Sequence, residues 1–402
     1  MLHHRRILIF PASNTLSHVA QALAIAERLE SQGMECHLAL AGVRAAWASQ
    51  FHPRCHEISE LWELSGMPFP CPRWFSDRAH VERCLASRED LIKRLRPALV
   101  IGIFDFLCKA GARELPVITI NGACMLPWFN GVLGCDETDT SLRREQNQTM
   151  NRFWEFAVRA VAPSLRRRNL PAPRRANELL VGDHNFIYEI RELCGVPALP
   201  PDCHAIGPIV WPGWERVGEF PPWEKSDGKT TVYVSAGTLA IHAGALERLI
   251  DHVCRLDVRV VASTGQAGAG RTTERLFCRP FLAPAKTTAV ADLVVCTGGI
   301  GVCYQNIASC VPSLVVPMQP EQATNGIHLQ QQGCGRVLLP EVVFTGHSHQ
   351  YAEAINYELF TDNLRDMLDR RAGFAAPLQR IAQCLAGCDA LESIARCAGN
   401  LP

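Results

Sequence analysis

Three glycines in the second half of the sequence have the spacing of an anion-binding turn. Gly298, Gly299 and Gly301 follow the apolar run Leu293–Cys296, which lacks polar alternation and is typical of a buried parallel strand. Residues 302–309 then have helical spacing, so the glycines lie where a strand turns into a helix. Backbone N–H groups are unpaired at such a helix start, and the helix dipole is positive there. The stretch therefore predicts a phosphate site.

Acid and amide side chains follow the next apolar strand. Residues 314–317 form that predicted strand, and Glu321 and Gln322 come shortly after it. Open α/β sheets bind ligands at the carboxyl ends of their strands, so both side chains are expected at a ligand-binding edge. A solvated loop is the alternative interpretation for these two residues. For the glycines, the alternative is that they only permit tight turns.

Residues 292–325 resemble, in order and spacing, the donor site of the nucleotide-sugar-dependent glycosyltransferases with the GT-B fold. The family pattern is an aspartate with an apolar strand, His-Gly-Gly-x-Gly-Thr, a helix, Gly-Val-Pro, an apolar strand and Asp/Glu-Gln followed by Asn. The likeness is to the bacterial branch that glycosylates small molecules and lipids, the UDP-glycosyltransferase and macrolide-glycosyltransferase type. It implies an α/β chain with two Rossmann-like βαβ domains facing across a cleft.

Three positions depart from the family pattern. Thr297 stands where the family has a phosphate-contacting histidine, Val302 where it has a threonine, and Gln305 where it has a ribose-binding glutamate. A threonine hydroxyl and a glutamine amide still form neutral hydrogen bonds, each worth about 1 kcal/mol. The departures bear on the identity of the donor more than on the fold, and they leave open a protein that binds without turnover.

A histidine near the start of the sequence is the candidate base. A short strand at residues 7–10 and a small-residue loop precede His18, where helical spacing begins. Residues 17–36 resemble the opening of the same family, in which this histidine is catalytic. A helix start disfavours the protonated imidazole, so His18 could accept a proton from an acceptor hydroxyl. The alternative is an ordinary helix-start histidine.

Asp105 is the candidate partner of this base. It follows the apolar strand predicted at residues 98–104, at the same sheet edge as His18. Its position resembles that of the family's orienting acid, which would hold the second ring N–H of His18 and stabilise the charged ring. The alternative is a strand-end aspartate that caps the next helix.

A second glycine loop is predicted beside the same donor. Gly237 and Thr238 follow the strand Thr231–Ser235. The resemblance also implies that Glu321 and Gln322 contact sugar hydroxyls and select the donor. The residues predicted to bind the donor are Gly237, Thr238, Thr297, Gly298, Gly299, Gly301, Gln305, Glu321 and Gln322.

Length and tryptophan distribution predict two domains. A chain of 402 residues exceeds what one core usually supports, and an aperiodic stretch rich in Pro and Trp lies at residues 204–228. We predict an acceptor-binding domain at 1–206, a linker at 207–228, a nucleotide-sugar-binding domain at 229–375 and a helical segment at 376–402 that returns to the first domain. All eight tryptophans lie at or before Trp223, so aromatic recognition should belong to the first half. Trp128 and Phe129 are weak candidates for acceptor contact, with buried packing as the alternative.

Composition limits the partners. Lys plus Arg and Asp plus Glu number 40 each, so no electrostatic field favours nucleic acid. Basic residues at 166–175 leave peripheral membrane contact open, although a solvated helix face is the more frequent meaning of such a run. The oligomeric state is not predicted.

Cysteine usage and the start of the chain bear on location. The 18 cysteines are scattered, with no CxxC pair, and predict reduced thiols and no metal site. The apolar stretch behind the basic start ends at Pro11, too short for a signal or membrane helix, and a cytoplasmic enzyme is expected.

The resemblance thus implies an inverting glycosyltransferase of hexosyltransferase type. A UDP- or dTDP-linked sugar would be transferred to a small hydrophobic natural product or a lipid, with no cofactor because the nucleotide sugar is a substrate. One alternative is a catalytically silent relative that binds a nucleotide or acts as an auxiliary partner of another enzyme. A less favoured alternative is a sugar-nucleotide epimerase on the same architecture.

Overall fold

The structure, a computed structural model, describes residues 5–64, 69–135, 140–235, 237, 243–265, 270–345, 351 and 353–401. The chain divides into two compact units. The first comprises Met1–Gly131, Gln148–Trp211 and Asp389–Pro402, and the second comprises Val132–Asn147 and Pro212–Cys388. Each unit is built around its own seven-stranded sheet.

The sheet of the first unit is entirely parallel. Its strands are β1 (Arg6–Pro11), β2 (Glu35–Leu40), β3 (Cys55–Glu57), β4 (Leu99–Ile103), β5 (Val117–Asn121), β6 (His184–Ile187) and β7 (Cys203–Ala205). They are ordered β3-β2-β1-β4-β5-β6-β7, so the strand order reverses between β1 and β4. The apolar runs of β1, β2, β4 and β5 are buried on both faces, as in parallel sheets covered by helices.

Helices connect these strands. They are α1 (Leu16–Glu30), α2 (Gly42–Ala48), α3 (Arg78–Leu95), α4 (Cys108–Ala112) and α5 (Thr140–Arg167), with short 3₁₀ turns between them. Ten side chains of α1 are buried, including Val19, Leu23 and Ile25, and each fully buried aliphatic side chain contributes about 1.5–3 kcal/mol. This packing fixes the start of α1 at the carboxyl edge of β1.

The sheet of the second unit repeats this topology. Its strands are β8 (Thr231–Ser235), β9 (Arg259–Ser263), β10 (Arg271–Thr272), β11 (Leu276–Arg279), β12 (Leu293–Cys296), β13 (Ser313–Val315) and β14 (Gly335–Val337). The order is β10-β11-β9-β8-β12-β13-β14, and only the edge strand β10 is antiparallel within the described part of the sheet. The order reverses between β8 and β12, the strands that precede the two predicted glycine loops.

The helices of the second unit follow the same alternation. They are α6 (Trp214–Val217), α7 (Ala243–Cys254), α8 (Pro284–Val290), α9 (Ile300–Ala308), α10 (Pro320–Gln331), α11 (Tyr357–Asp369) and α12 (Ala375–Ala386). The last helix, α13 (Ala390–Asn400), packs on α1 of the first unit, where Arg28 pairs with Glu392 at 2.5 Å.

Most predicted strands coincide with observed ones, but three short strands of the first unit were missed. Helix α5 ends at Arg167, and the strand His184–Ile187, which pairs with β5, was not predicted. That strand is only four residues long and begins with the polar residues His184 and Asn185, so its sequence lacks a clear apolar signal. Inside the sheet, Asn185 accepts a hydrogen bond from the Thr119 hydroxyl at 2.8 Å. The strands Cys55–Glu57 and Cys203–Ala205 escaped prediction for the same reason.

The division into units differs from the predicted boundaries at two places. Residues 132–147 cluster with the second unit, and at the C-terminus only Asp389–Pro402, rather than 376–402, clusters with the first. The change between units after Trp211 falls inside the predicted linker at 207–228. The basic run is part of the ion pairs of the first unit, since Arg167 pairs with Glu82 and Arg168 with Glu82 and Glu89.

Candidate active site

His18 lies in the first turn of α1, at the carboxyl edge of the first sheet. Thr15 caps the helix by accepting from the His18 backbone N–H at 3.3 Å. The ring atom Nδ1 of His18 lies 3.0 Å from the carbonyl oxygen of Ala12. Because a carbonyl can only accept, Nδ1 carries the proton and Nε2 keeps its lone pair. The loop between β1 and α1 thus fixes the tautomer that a general base needs.

The surroundings of His18 keep its ring neutral. Desolvation by the surrounding protein lowers its pKa to about 4, and the bond to Ala12 opposes this only in part. Desolvation, and not the helix dipole expected from the sequence, is the larger cause of this shift in the pKa of His18. The ring of Phe104 lies 5.6 Å away, between centroids, and contributes to this apolar environment. At neutral pH the imidazole is therefore an unprotonated base.

Asp105 does not hold His18, and the predicted orienting role is wrong. Its Oδ2 accepts from Nη2 of Arg88 at 2.6 Å and from Nε of Arg88 at 3.2 Å, and its Oδ1 accepts from the Leu107 N–H at 2.7 Å. The ring N–H that Asp105 was predicted to hold, at Nδ1 of His18, is bound to the Ala12 carbonyl instead. A carboxylate this deeply buried requires an opposite charge, which Arg88 of α3 supplies. Asp105 is a strand-end acid, as in the alternative interpretation, but it accepts from the Leu107 N–H just before α4 and does not cap that helix.

Glu60 is a residue of this edge that sequence reasoning missed. It lies three residues beyond β3, is 2 % exposed, and accepts from both the backbone N–H and the hydroxyl of Ser13, at 3.0 and 2.9 Å. It lines a small pocket together with Ala12, Arg88 and Asp105. Burial raises the pKa of the Glu60 carboxyl to about 7. Glu60 lies in the irregular stretch between β3 and α3, so nothing in the sequence distinguishes it from a surface glutamate.

An aromatic cluster extends from Phe104, the ring that contacts His18. Phe104 contacts Phe106 at 5.3 Å and Phe69 at 5.9 Å, and Trp154 lies 5.6 Å from Phe69 and 6.3 Å from Phe106, all between ring centroids. Phe69, Phe104 and Phe106 are buried, and Trp154 is partly exposed. These residues come from the loop between β3 and α3, from the end of β4 and from helix α5, so only the fold brings them together.

The weak acceptor candidates Trp128 and Phe129 follow β5 and are both partly exposed. The ring of Phe129 folds over Gly131, where an added Cβ would lie 2.5 Å from its Cζ atom. Their contact with an acceptor stays a prediction.

The glycine turn of the second unit contains one structural glycine and two that face open space. Gly298 has φ +88°, and a Cβ there would lie 2.5 Å from the carbonyl oxygen of Gln322. Cβ atoms added at Gly299 or Gly301 would meet nothing within 4 Å. Asn325 of α10 donates to the Gly298 carbonyl at 2.9 Å and holds the turn in place. The start of α9 is thus open to a ligand at Gly299 and Gly301.

The second predicted loop reaches the same edge. Ser235 at the end of β8 is the register partner of Cys296 at the end of β12. A Cβ added to Gly237, which has φ +70°, would lie 3.8 Å from Oγ1 of Thr297. The structure therefore brings Gly237 beside Thr297. Thr238 lies outside the described residues.

The remaining donor candidates are partly committed to the protein itself. Oε1 of Gln322 accepts from the Met318 N–H at 2.9 Å, and the contact of this side chain with a sugar hydroxyl stays a prediction. The Gln305 amide donates to Oγ1 of Thr288 at 3.4 Å. Glu321 lies in the first turn of α10 and is partly exposed.

No group of three or more His, Cys, Asp or Glu side chains is placed to hold a metal ion within the part of the chain described. No helix there combines the length and apolar character needed to cross a bilayer. None of the 18 cysteines, which all lie within the described ranges, is part of a disulfide.

Comparison with known proteins supports the resemblance from two directions. No family model matches the chain. A PGL/p-HBAD biosynthesis glycosyltransferase of Mycobacterium tuberculosis is 24 % identical over 377 residues, which cover 84 % of this chain and 81 % of that protein. The solved glycosyltransferase of kitacinnamycin matches all of both chains with a TM-score of 0.73 at 15 % identity. Spinosyn rhamnosyltransferase SpnG, solved with thymidine diphosphate, matches 98 % of this chain and 100 % of its own with a TM-score of 0.67 at 17 % identity.

The predicted fold class is confirmed by these likenesses, because the structural neighbours are GT-B proteins with two parallel-sheet domains. The relatives and neighbours alike are glycosyltransferases, and glycosyltransferases are enzymes. The resemblance predicted from the sequence is therefore confirmed: the chain has the GT-B fold and is similar to glycosyltransferases of natural-product biosynthesis.

Proposed function

We propose that this protein is an inverting glycosyltransferase that moves a sugar from a UDP- or dTDP-linked donor to a hydroxyl of a small hydrophobic natural product or lipid. His18 removes the proton of the acceptor hydroxyl as the oxygen attacks the anomeric carbon. The bond between that carbon and the diphosphate breaks, and the nucleoside diphosphate leaves with the electron pair. Direct displacement of this kind inverts the anomeric centre.

The state of His18 is the observation that carries the proposal. Its Nδ1–H is held by the Ala12 carbonyl at 3.0 Å, and a pKa lowered to about 4 leaves Nε2 unprotonated at neutral pH. A general base must be unprotonated and oriented before the acceptor arrives. An ordinary helix-start histidine would need neither the bond to Ala12 nor the desolvated site.

Donor binding is proposed for the second unit. Gly299 and Gly301 leave backbone open at the start of α9, where N–H groups and the helix dipole favour a diphosphate. Gly237 and Thr297 would line the other side of this group, and the Gln322 amide nitrogen would donate to a sugar hydroxyl. Glu321 and Gln305 complete the proposed set. The thymidine diphosphate bound by SpnG makes dTDP the first nucleotide to test.

The acceptor proposed for the first unit is apolar. The packed rings of Phe104, Phe106 and Phe69 make the surroundings of His18 apolar, and the partly exposed Trp154 is the ring of this cluster proposed to contact the acceptor. The PGL/p-HBAD relative and the kitacinnamycin and spinosyn enzymes are named for such natural products.

The test combines binding and turnover. We expect titration calorimetry to detect binding of UDP or dTDP. Incubation with an array of nucleotide sugars and of hydrophobic alcohols and phenols should yield a glycoside of inverted configuration. His18→Ala should lower kcat at least 1000-fold with little change in nucleotide affinity. The exposed His204 provides the matched control, since His204→Ala should retain wild-type kcat. Full turnover by His18→Ala would remove His18 from the mechanism, and nucleotide binding without any turnover would favour the silent relative.

A further inference from the structure

Glu60 clamps the loop that follows β1. Its Oε2 accepts from the Ser13 N–H at 3.0 Å and also from Nε1 of Trp62, while its Oε1 accepts from Oγ of Ser13 at 2.9 Å. The Ala41 N–H donates to the same Ser13 Oγ at 3.0 Å. That bond occupies a lone pair of the hydroxyl, so the Ser13 proton points to Glu60. Glu60 thereby joins the carboxyl ends of three neighbouring strands, β1, β2 and β3.

The clamped loop is the one that holds His18. Ser13 directly follows Ala12, and the Ala12 carbonyl accepts from Nδ1–H of His18. Displacement of Ser13 would turn the peptide group between Ala12 and Ser13, and with it this carbonyl. We infer that Glu60 is a positioning residue for the reaction: its ionised carboxylate holds Ser13, and through Ala12 it fixes the tautomer and orientation of His18. This inference rests on the proposed role of His18 as the base.

Only the ionised carboxylate suits this clamp. Three donors point at its two oxygens, from the Ser13 backbone, the Ser13 hydroxyl and the Trp62 indole. A protonated carboxyl would place its own O–H against one of these donors and lose that bond. The carboxyl group of Asp105 cannot replace it, because Arg88 and Leu107 occupy both of its oxygens.

The charged and titratable groups around Glu60 come from four segments. Arg88, His80 and Cys84 face it from α3, Asp105 from the end of β4, Glu63 from its own loop and His18 from α1 beyond Ser13. Burial raises the Glu60 pKa most, Arg88 lowers it and Asp105 raises it, with a resulting pKa of about 7. His18 titrates only near pH 4. Loss of activity on mild acidification should therefore follow Glu60 rather than the base.

The pH dependence of turnover tests the inference. A group with a pKa of about 7 goes from roughly nine-tenths ionised at pH 8 to one-tenth at pH 6, so wild-type kcat should fall about tenfold over this range. Glu60→Gln presents an amide NH₂ to the donors of Ser13 and Trp62, so its kcat should be about tenfold lower at pH 8 and nearly constant down to pH 6. The exposed Glu57 supplies the control, and Glu57→Gln should keep the wild-type rate and profile.

A second measurement does not depend on turnover. Nitrogen NMR of ¹⁵N-histidine-labelled protein should show His18 as the Nδ1–H tautomer at pH 8 in the wild type and as a mixture of tautomers in Glu60→Gln. If that variant does not fold, Ser13→Ala removes one bond to Glu60 and should lower kcat about threefold with the same mixing. The inference would be overturned if Glu60→Gln kept the wild-type tautomer of His18. It would also be overturned if the kcat of Glu60→Gln still fell tenfold between pH 8 and pH 6. Activity in His18→Ala would instead defeat the proposed function, and the NMR result would still decide the role of Glu60.

Discussion

Arg88 and Asp105 form a buried ion pair at the carboxyl edge of the first sheet, with Nη2 of Arg88 2.6 Å from Oδ2 of Asp105 and each side chain 3 % exposed. Nη1 of Arg88 also donates to the backbone carbonyls of Ser59 and Cys84, at 3.0 and 2.9 Å. One guanidinium thus joins helix α3, the loop that carries Glu60 and the end of β4. The pair holds the framework around the proposed base rather than the base itself.

Breaking this pair should destabilise the first unit strongly. Arg88→Met leaves the Asp105 carboxylate and two carbonyls buried without their partner, and we expect a loss of about 3–5 kcal/mol in the free energy of unfolding. Urea titration followed by tryptophan fluorescence can measure it, since six of the eight tryptophans lie in the first unit. The double variant Arg88→Met with Asp105→Asn should lose less than the sum of the single changes. Additive losses would show that the two charges do not interact.

A surface ion pair provides the comparison for that experiment. Arg167 is more than half exposed and pairs with Glu82 at 2.5 Å. Arg167→Met should cost no more than about 1 kcal/mol, because water screens exposed pairs and ordering the side chains costs entropy. A loss from Arg167→Met as large as that from Arg88→Met would contradict the role of burial.

The buried charge of Glu60 should make stability depend on pH. Burial raises the folded-state pKa of this carboxyl from 4.5 to about 7, so its protonated form favours the folded state. This contribution is fully present below pH 4.5 and is lost as the pH rises through 7. Relative to Glu60→Gln, the wild type should lose about 3 kcal/mol of unfolding free energy between pH 4.5 and pH 8, from 1.36 kcal/mol per pKa unit. Urea titrations of both proteins across this range would measure the difference, and a constant difference would contradict the raised pKa.

Sequence reasoning succeeded where a pattern is local. The apolar runs of Thr231–Ser235 and Leu293–Cys296 predicted their strands with the observed bounds, because central parallel strands need continuous apolar sequence. The glycine turn after β12 and the first turn around His18 were placed at the carboxyl edges of their sheets for the same reason. Strand His184–Ile187 was missed because pairing with β5, and not its own composition, makes it a strand.

The contacts of the first-unit site could not be predicted in this way. Asp105 and His18 lie at the same edge, as expected, but an arginine 17 residues earlier takes the carboxylate. Arg88 is on the buried face of α3, and one arginine among the four of this charged helix gives no sign of its partner. Glu60 and Ser13 are 47 residues apart in the chain and meet only because β1 and β3 flank β2. Side-chain partners of this kind depend on tertiary packing.

Gly298 and Gly301 lie three residues apart and should respond to alanine in opposite ways. Gly298→Ala forces a Cβ to within 2.5 Å of the Gln322 carbonyl oxygen at φ +88°, which should destabilise the second unit by about 3 kcal/mol. Gly301 is in helix α9 with nothing within 4 Å of an added Cβ, so Gly301→Ala should stabilise the second unit by about 0.5–1 kcal/mol.

If the donor diphosphate approaches the backbone at Gly301, as we propose, the methyl group of Gly301→Ala should weaken dTDP or UDP binding at least tenfold in calorimetry. Gly373→Ala, also in open space, should leave nucleotide affinity unchanged. Wild-type affinity in Gly301→Ala would place the diphosphate elsewhere, even if the stability changes follow expectation.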